Sequence, residues 1–214
     1  TIKLTQASIG NIQNSMKKLN KIAPLLQRLL KDPLSYAYKR CHLISVFSLE
    51  VLKKIDWFSK YQITENFTRL SFASFLHDIL LTDEKLLRIH NKIDLYKADI
   101  NDKEKELVMN HANITSTMIH KYPHAPSHVD GIIKHHHGTT NGVGFSDVAN
   151  SSLPKLAIIF IVVERFVIQL LDFNRKEETL KDVFNDLYEE FSQPSYRKVM
   201  DCLYETLITE AKAS

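Results

Sequence analysis

An adjacent histidine and aspartate, His77-Asp78, stand inside the apolar run from Phe72 to Leu81. Upstream lies His42; downstream come His111, the adjacent pair His136-His137, and Glu164 in an otherwise apolar stretch. Imidazoles and carboxylates without a neighbouring thiolate are ligands for iron or manganese rather than for structural zinc. Each residue alone has a plainer explanation. A single helical histidine is more often a core or surface residue than a ligand, and Glu164 beside Arg165 reads also as a surface ion pair. An unpaired buried carboxylate is costly, so Glu164 must face solvent, a cation or a metal. The order of the set, more than any one member, points to a metal site.

Histidine and glycine are unevenly spread. Of 10 histidines, 7 fall between residues 111 and 137, and of 5 glycines, 4 fall between 131 and 144. His120, His124 and His128 imitate a metal-binding helical face by their four-residue spacing. Pro123 and Pro126 interrupt any helix between them, so they are read as loop or surface residues. Gly138, Gly142 and Gly144 mark a loop of special geometry directly after the histidine pair. Asn141-Gly142 is also an ordinary turn signal.

The elements that must position these residues are helical. Apolar residues recur at helical spacing from Ile9 to Leu30. Asp32-Pro33 reads as an N-cap followed by proline at the first helical position, opening a helix to about Ile55 with His42 in its first turns. Thr64 opens another to near Leu80, and Thr82-Asp83-Glu84 caps a short one. Asn101 or Asp102 starts a helix that stops before Pro123 and carries His111. Ser127 starts a short helix to about His137. Ser152-Leu153-Pro154 leads into a long apolar helix to about Leu171, followed by helices over 178–192 and 195–211. No run of alternating β-branched residues competes. The expected fold is all-α: a bundle of about eight or nine helices, with the glycine loop beside the metal site. Residues 1–31 are expected to form a separate dimerising or linking helical segment, and 32–214 the domain that carries the site.

The global numbers exclude several classes. A chain of 214 residues, 44% hydrophobic and 25% charged, has room for one sizeable core. A net charge of +3, with 28 basic residues interleaved among 25 acidic ones, argues against a nucleic-acid polymer as partner. Cys41 and Cys202 form no CxxC and read as reduced thiols of a cytosolic protein. The most apolar run, Leu156 to Val163, is too short to span a bilayer. The chain begins at Thr1, so it is read as a piece of a longer protein.

The order His42, His77-Asp78, His111, His136-His137, Glu164 resembles the HD superfamily of metal phosphohydrolases. It is most similar to the HD-GYP branch, which hydrolyses the bacterial second messenger cyclic di-GMP. That branch carries a pattern of the form HHExxDGxGYP; the stretch in register here runs His136-His137-Gly138-Thr139-Thr140-Asn141-Gly142-Val143-Gly144-Phe145-Ser146. The resemblance covers roughly residues 33–212. It implies two transition-metal ions, iron first and manganese as the alternative. His42, His77, Asp78 and Glu164 would hold one ion, and His111, His136 and His137 the other, with Asp78 bridging. A hydroxide between the ions would attack phosphorus in line. The glutamate that holds a third ion in some members is Tyr38 here, so two ions are expected.

Departures from the pattern fall on substrate recognition. The lysine of HDxGK is Leu81, the aspartate before the glycine is Asn141, and Phe145 and Ser146 replace the Tyr-Pro of GYP. Asn141, Gly142 and Gly144 remain as substrate contacts, with Arg175 and Lys176 as phosphate contacts in place of a missing Arg-Pro-Tyr-Arg stretch. The resemblance thus implies a cytoplasmic bacterial phosphodiesterase acting on cyclic di-GMP, with a homodimer or signalling partner. Two alternatives stay open: an HD phosphohydrolase acting on another nucleotide or phosphoester, and a module that binds metal or dinucleotide without turnover.

Overall fold

The computed structural model describes residues 23–147, 150, 152–172 and 179–211, together with 7, 9, 10 and 12. Among the described residues there are ten α-helices, one short 3-10 turn and no strand. The helices are α1 (Ala23–Lys31), α2 (Tyr36–Lys54), α3 (Ile63–Leu76), α4 (Glu84–Leu87), α5 (Lys92–Lys97), α6 (Asp102–His120), α7 (Val129–His135), α8 (Lys155–Asp172), α9 (Leu180–Glu190) and α10 (Pro194–Ala211). The protein is all-α, as its sequence predicts. No helix among the described residues is long and apolar enough to cross a membrane.

Helix α8 is the axis of the bundle. It is apolar nearly all round, burying residues from Ala157 to Ile168 on successive turns, which is the pattern of a helix enclosed by others. Helices α2, α3, α7, α9 and α10 pack against it. Ile12 and Leu26, from the segment expected to be separate, are buried in this same core. A second, smaller core gathers Leu81, Leu86, Leu87, Ile89, Leu95, Val108 and Phe145 beneath α4, α5 and α6. Leu81, standing where the resemblance would place a lysine, is spent on this packing.

Three helix boundaries differ from the expectation, each for a local reason. Asp32 caps a turn instead of a helix: its Oδ1 accepts from the Leu34 amide at 3.0 Å, and α2 begins only after Ser35, whose Oγ accepts from Tyr38 N. The Thr64 helix begins one residue earlier and ends at Leu76; His77–Leu80 form tight turns, with Ile79 N donating to Leu76 O and Leu81 N to Asp78 O. Ser127 does not cap α7, because Arg69 of α3 donates to both its carbonyl and its hydroxyl. His128 enters α7 in the left-handed region instead, at φ 68°. Helix α5, capped by Asn91, was not expected.

Candidate metal centre

Three histidines from three elements share one local device. His77 Nδ1 donates to Ser74 O at 2.9 Å, His111 Nδ1 to Val108 O at 2.7 Å, and His136 Nδ1 to Ile133 O at 2.7 Å. Each acceptor is a backbone carbonyl three residues earlier on the same helix or its last turn. A carbonyl can only accept, so each Nδ1 carries a proton, and in the neutral ring Nε2 keeps its lone pair; against its burial, Asp78 and Glu164 raise the His77 pKa toward the charged form. All three rings are buried; His111 and His136 turn Nε2 toward Asp78 Oδ1, whereas His77 turns its Nε2 toward Asp78 Oδ2 and Glu164. A carbonyl that fixes the tautomer and frees the other nitrogen is how ligating histidines are held.

Around Asp78 these lone pairs converge. His111 Nε2 lies 2.9 Å and His136 Nε2 3.5 Å from Asp78 Oδ1, an oxygen buried without a well-placed hydrogen-bond donor. His111 Nε2 is also 3.3 Å from His136 Nε2 and 3.1 Å from His137 Nε2. Facing imidazole lone pairs and a carboxylate oxygen repel unless a cation sits among them. Asp78, His111, His136 and His137 therefore form one group able to hold a metal ion. His77, Asp78 and Glu164 form a second. Glu164, from the centre of α8, is buried and meets His77 Nε2 at 3.1 Å through Oε1.

The second group already contains a cation. Arg40, on α2, is 1% exposed. Its Nη2 hydrogen-bonds to Asp78 Oδ2 and lies 3.2 Å from His77 Nε2, while Nη1 donates to Leu87 O at 3.2 Å. Arg40 heads the buried face of α2, in line with Ile44 and Ser48 at four-residue spacing. His42 is two residues further on, roughly 200° around the helix. The structure does not bring His42 to either group: it is half-buried, stacked on Tyr38 at 5.9 Å between ring centroids. The position on α2 that reaches His77-Asp78 is Arg40.

Electrostatics follow from this enclosure. Burial works against the charged form of Arg40, but Asp78 and Glu164 outweigh it and raise its pKa. Burial also disfavours the Glu164 carboxylate, yet His77 beside it holds its pKa down at about 2. Asp78 is likewise held well below the usual carboxylate range against its burial, by His77, Arg40 and His111. His136 is shifted down by burial, and His137 well down by burial and its two histidine neighbours, so both rings are neutral, as ligation requires.

The glycine loop serves the centre differently from the expectation. Gly142 O accepts from Asn113 N at 3.1 Å, and Gly144 N donates to Met109 O at 2.7 Å. The loop is thereby fastened to α6 on both sides of His111. Gly142 and Gly144 are buried, and Asn141 is exposed with its Oδ1 accepting from Val143 N. None of the three lines the cleft beside the histidines, so the structure gives them a positioning role where substrate contact was expected. Arg175 and Lys176 lie outside the described residues. Gly142 has φ +75°, and a Cβ there would fall 3.1 Å from Lys134 O and 3.2 Å from Asn113 Cα. Gly142→Ala is expected to cost about 1–2 kcal/mol from the left-handed backbone alone, and more from those contacts. Denaturant unfolding checks the loss, and metal titration should show weaker binding because His111 loses its brace.

A cleft of about 100 Å³ opens over the centre between His136, His137, Glu164, His90, Arg165 and Phe145. Phe145 lies against the His137 ring at 4.4 Å between centroids. His120, His124 and His128 are exposed, and His120 pairs with Asp130 at 2.7 Å. Two residues near the centre were missed in the sequence: Arg40, whose buried-face spacing was the available signal, and His90. Burial holds the His90 pKa down to about 3, and its Nε2 lies 3.2 Å from Tyr36 Oη. No family model matches the chain, and no curated protein or solved structure matches it.

Proposed function

We propose that the protein is a metal-dependent phosphohydrolase of HD type that cleaves a cyclic dinucleotide, cyclic di-GMP in the first instance. The observation that carries this reading is the buried meeting of three anchored-type or converging imidazoles, His111, His136 and His137, on the lone-pair side of Asp78. The donor set is nitrogen and oxygen only, which fits iron or manganese. When bound, the ion supplies Lewis-acid charge for a phosphoryl oxygen and an acidified water. The chain's own residues do the rest. His111, His136, His137 and Asp78 hold the ion, and Phe145 fixes the His137 ring. Arg165, paired with Glu190 at 2.9 Å, stands at the cleft as a cation for phosphate. The cleft has room for a phosphate group and not for a whole dinucleotide, so the nucleosides would lie across its rim.

One observation favours a second reading, a module that binds metal and dinucleotide without turnover. Arg40 engages Asp78, the carboxylate that the two-ion scheme needs as a bridge. Incubating the manganese- or iron(II)-loaded protein with cyclic di-GMP and with a panel of other phosphodiesters separates the readings. Linear or mononucleotide product from cyclic di-GMP supports the first. Calorimetric binding of cyclic di-GMP with no product over hours supports the second. Cleavage of other phosphoesters alone would replace the substrate and keep the class.

A further inference from the structure

The two groups that share Asp78 are not equivalent. Around Asp78 Oδ1, the neighbours are imidazoles and no cation is present among the described residues. Around Asp78 Oδ2 stand His77 Nε2 at 3.4 Å, Glu164 across His77, and the guanidinium of Arg40. We infer that Arg40 is a built-in replacement for one of the two cations, so that the protein takes a single divalent transition-metal ion, on the Asp78 Oδ1 side. This inference rests on the metal reading above and puts one ion where the resemblance implies two.

Geometry and charge both favour it. An ion ligated by His77 Nε2 and Asp78 Oδ2 would sit about 2.0–2.2 Å from each. Nη2 of Arg40 already contacts Asp78 Oδ2 and lies 3.2 Å from His77 Nε2, so the two cations would occupy overlapping space. A guanidinium cannot release its proton to make way, as a lysine or histidine can. It borders a cavity of about 530 Å³ on the α1 side, yet its contacts hold it toward Asp78. Nη1 is tied to Leu87 O, the side chain is almost wholly buried, and the Tyr36 ring lies 5.8 Å from its charged carbon. Two buried carboxylates, Asp78 and Glu164, would otherwise call for a cation at that place, and Arg40 supplies it without exchange with solvent. The Oδ1 side keeps four ligand residues and no competing charge.

Manganese(II) titration of the metal-stripped full chain, followed by electron paramagnetic resonance, tests this. The wild type is expected to bind one ion per chain with the isolated six-line spectrum of a single manganese(II). Arg40→His, which exchanges the guanidinium for a ligand, is expected to bind two and to show an exchange-coupled spectrum. Arg40→Gln removes the charge at similar length and serves if the histidine variant does not fold; its second ion should bind at least tenfold more tightly than any second ion in the wild type. Two ions in the wild type, or no gain in either folded variant, overturns the inference and leaves the metal reading standing. No ion bound in the wild type and none in the variants overturns the metal reading itself.

Discussion

Asp78→Ala is expected to abolish metal binding and, independently of metal, to destabilise the fold by about 3–5 kcal/mol. Metal is lost because Asp78 is the one carboxylate among the four residues of its group, and the one residue common to both groups. Stability is lost because Arg40 would remain buried with its charge and without its carboxylate. Breaking one side of a buried pair strands a desolvated ion, whereas replacing both sides by apolar groups removes the problem. The double variant Asp78→Ala with Arg40→Met should therefore recover about 2–3 kcal/mol of the loss while still binding no metal. Denaturant unfolding by circular dichroism, alongside metal analysis, reads the two effects separately. A single variant as stable as the wild type would show that the Arg40–Asp78 pair is not formed.

His111→Ala is expected to weaken metal binding by more than about 100-fold, beyond the loss seen when a ligand's supporting partner is removed. His42→Ala should leave it unchanged. His111 is the hub of its group, within 2.9 Å of Asp78 Oδ1 and 3.1–3.3 Å of the other two ring nitrogens. It is held there by the Val108 carbonyl and by the glycine loop on either side. His42 faces another way, against Tyr38. Calorimetric titration with manganese(II) measures both. Equal losses in the two variants would mean that α2 presents the His42 face to the centre.

The contrast between His42 and Arg40 shows what the sequence could and could not disclose. Residue type was legible: histidines and acids in a telling order led to His77, Asp78, His111, His136, His137 and Glu164, which the fold gathers. Helical phase was the weaker signal. Arg40 and His42 differ by two positions, and deciding which of them faces inward needs the buried line Arg40, Ile44, Ser48. That line carries an arginine and a serine, so it does not look apolar. A positively charged residue inside a run of mixed character also reads as surface, because an isolated buried charge is so costly. Only the facing carboxylates, brought together from α8 and the turn after α3, make its burial tolerable.

The glycine loop teaches a related point. Its glycines were visible as a cluster after the histidine pair, and their left-handed backbone was foreseeable. Their direction was not. Whether such a loop lines a cleft or braces a helix depends on which backbone groups it meets, and here Gly142 and Gly144 meet Asn113 and Met109 across His111. Helix existence was legible for every described helix but the six-residue α5, since caps and apolar spacing are local. Starts were less so where a capping side chain had another partner, as Ser127 has in Arg69.

The most direct test is the location of metal in crystals of the protein grown with manganese(II) or iron(II), by anomalous scattering at the metal's absorption edge. The expected result is one anomalous peak per chain, within about 2.0–2.3 Å of Asp78 Oδ1 and of Nε2 of His111, His136 and His137, with Arg40 still against Asp78 Oδ2. Anomalous density absent from the histidine cluster, or centred beside His42, would contradict it.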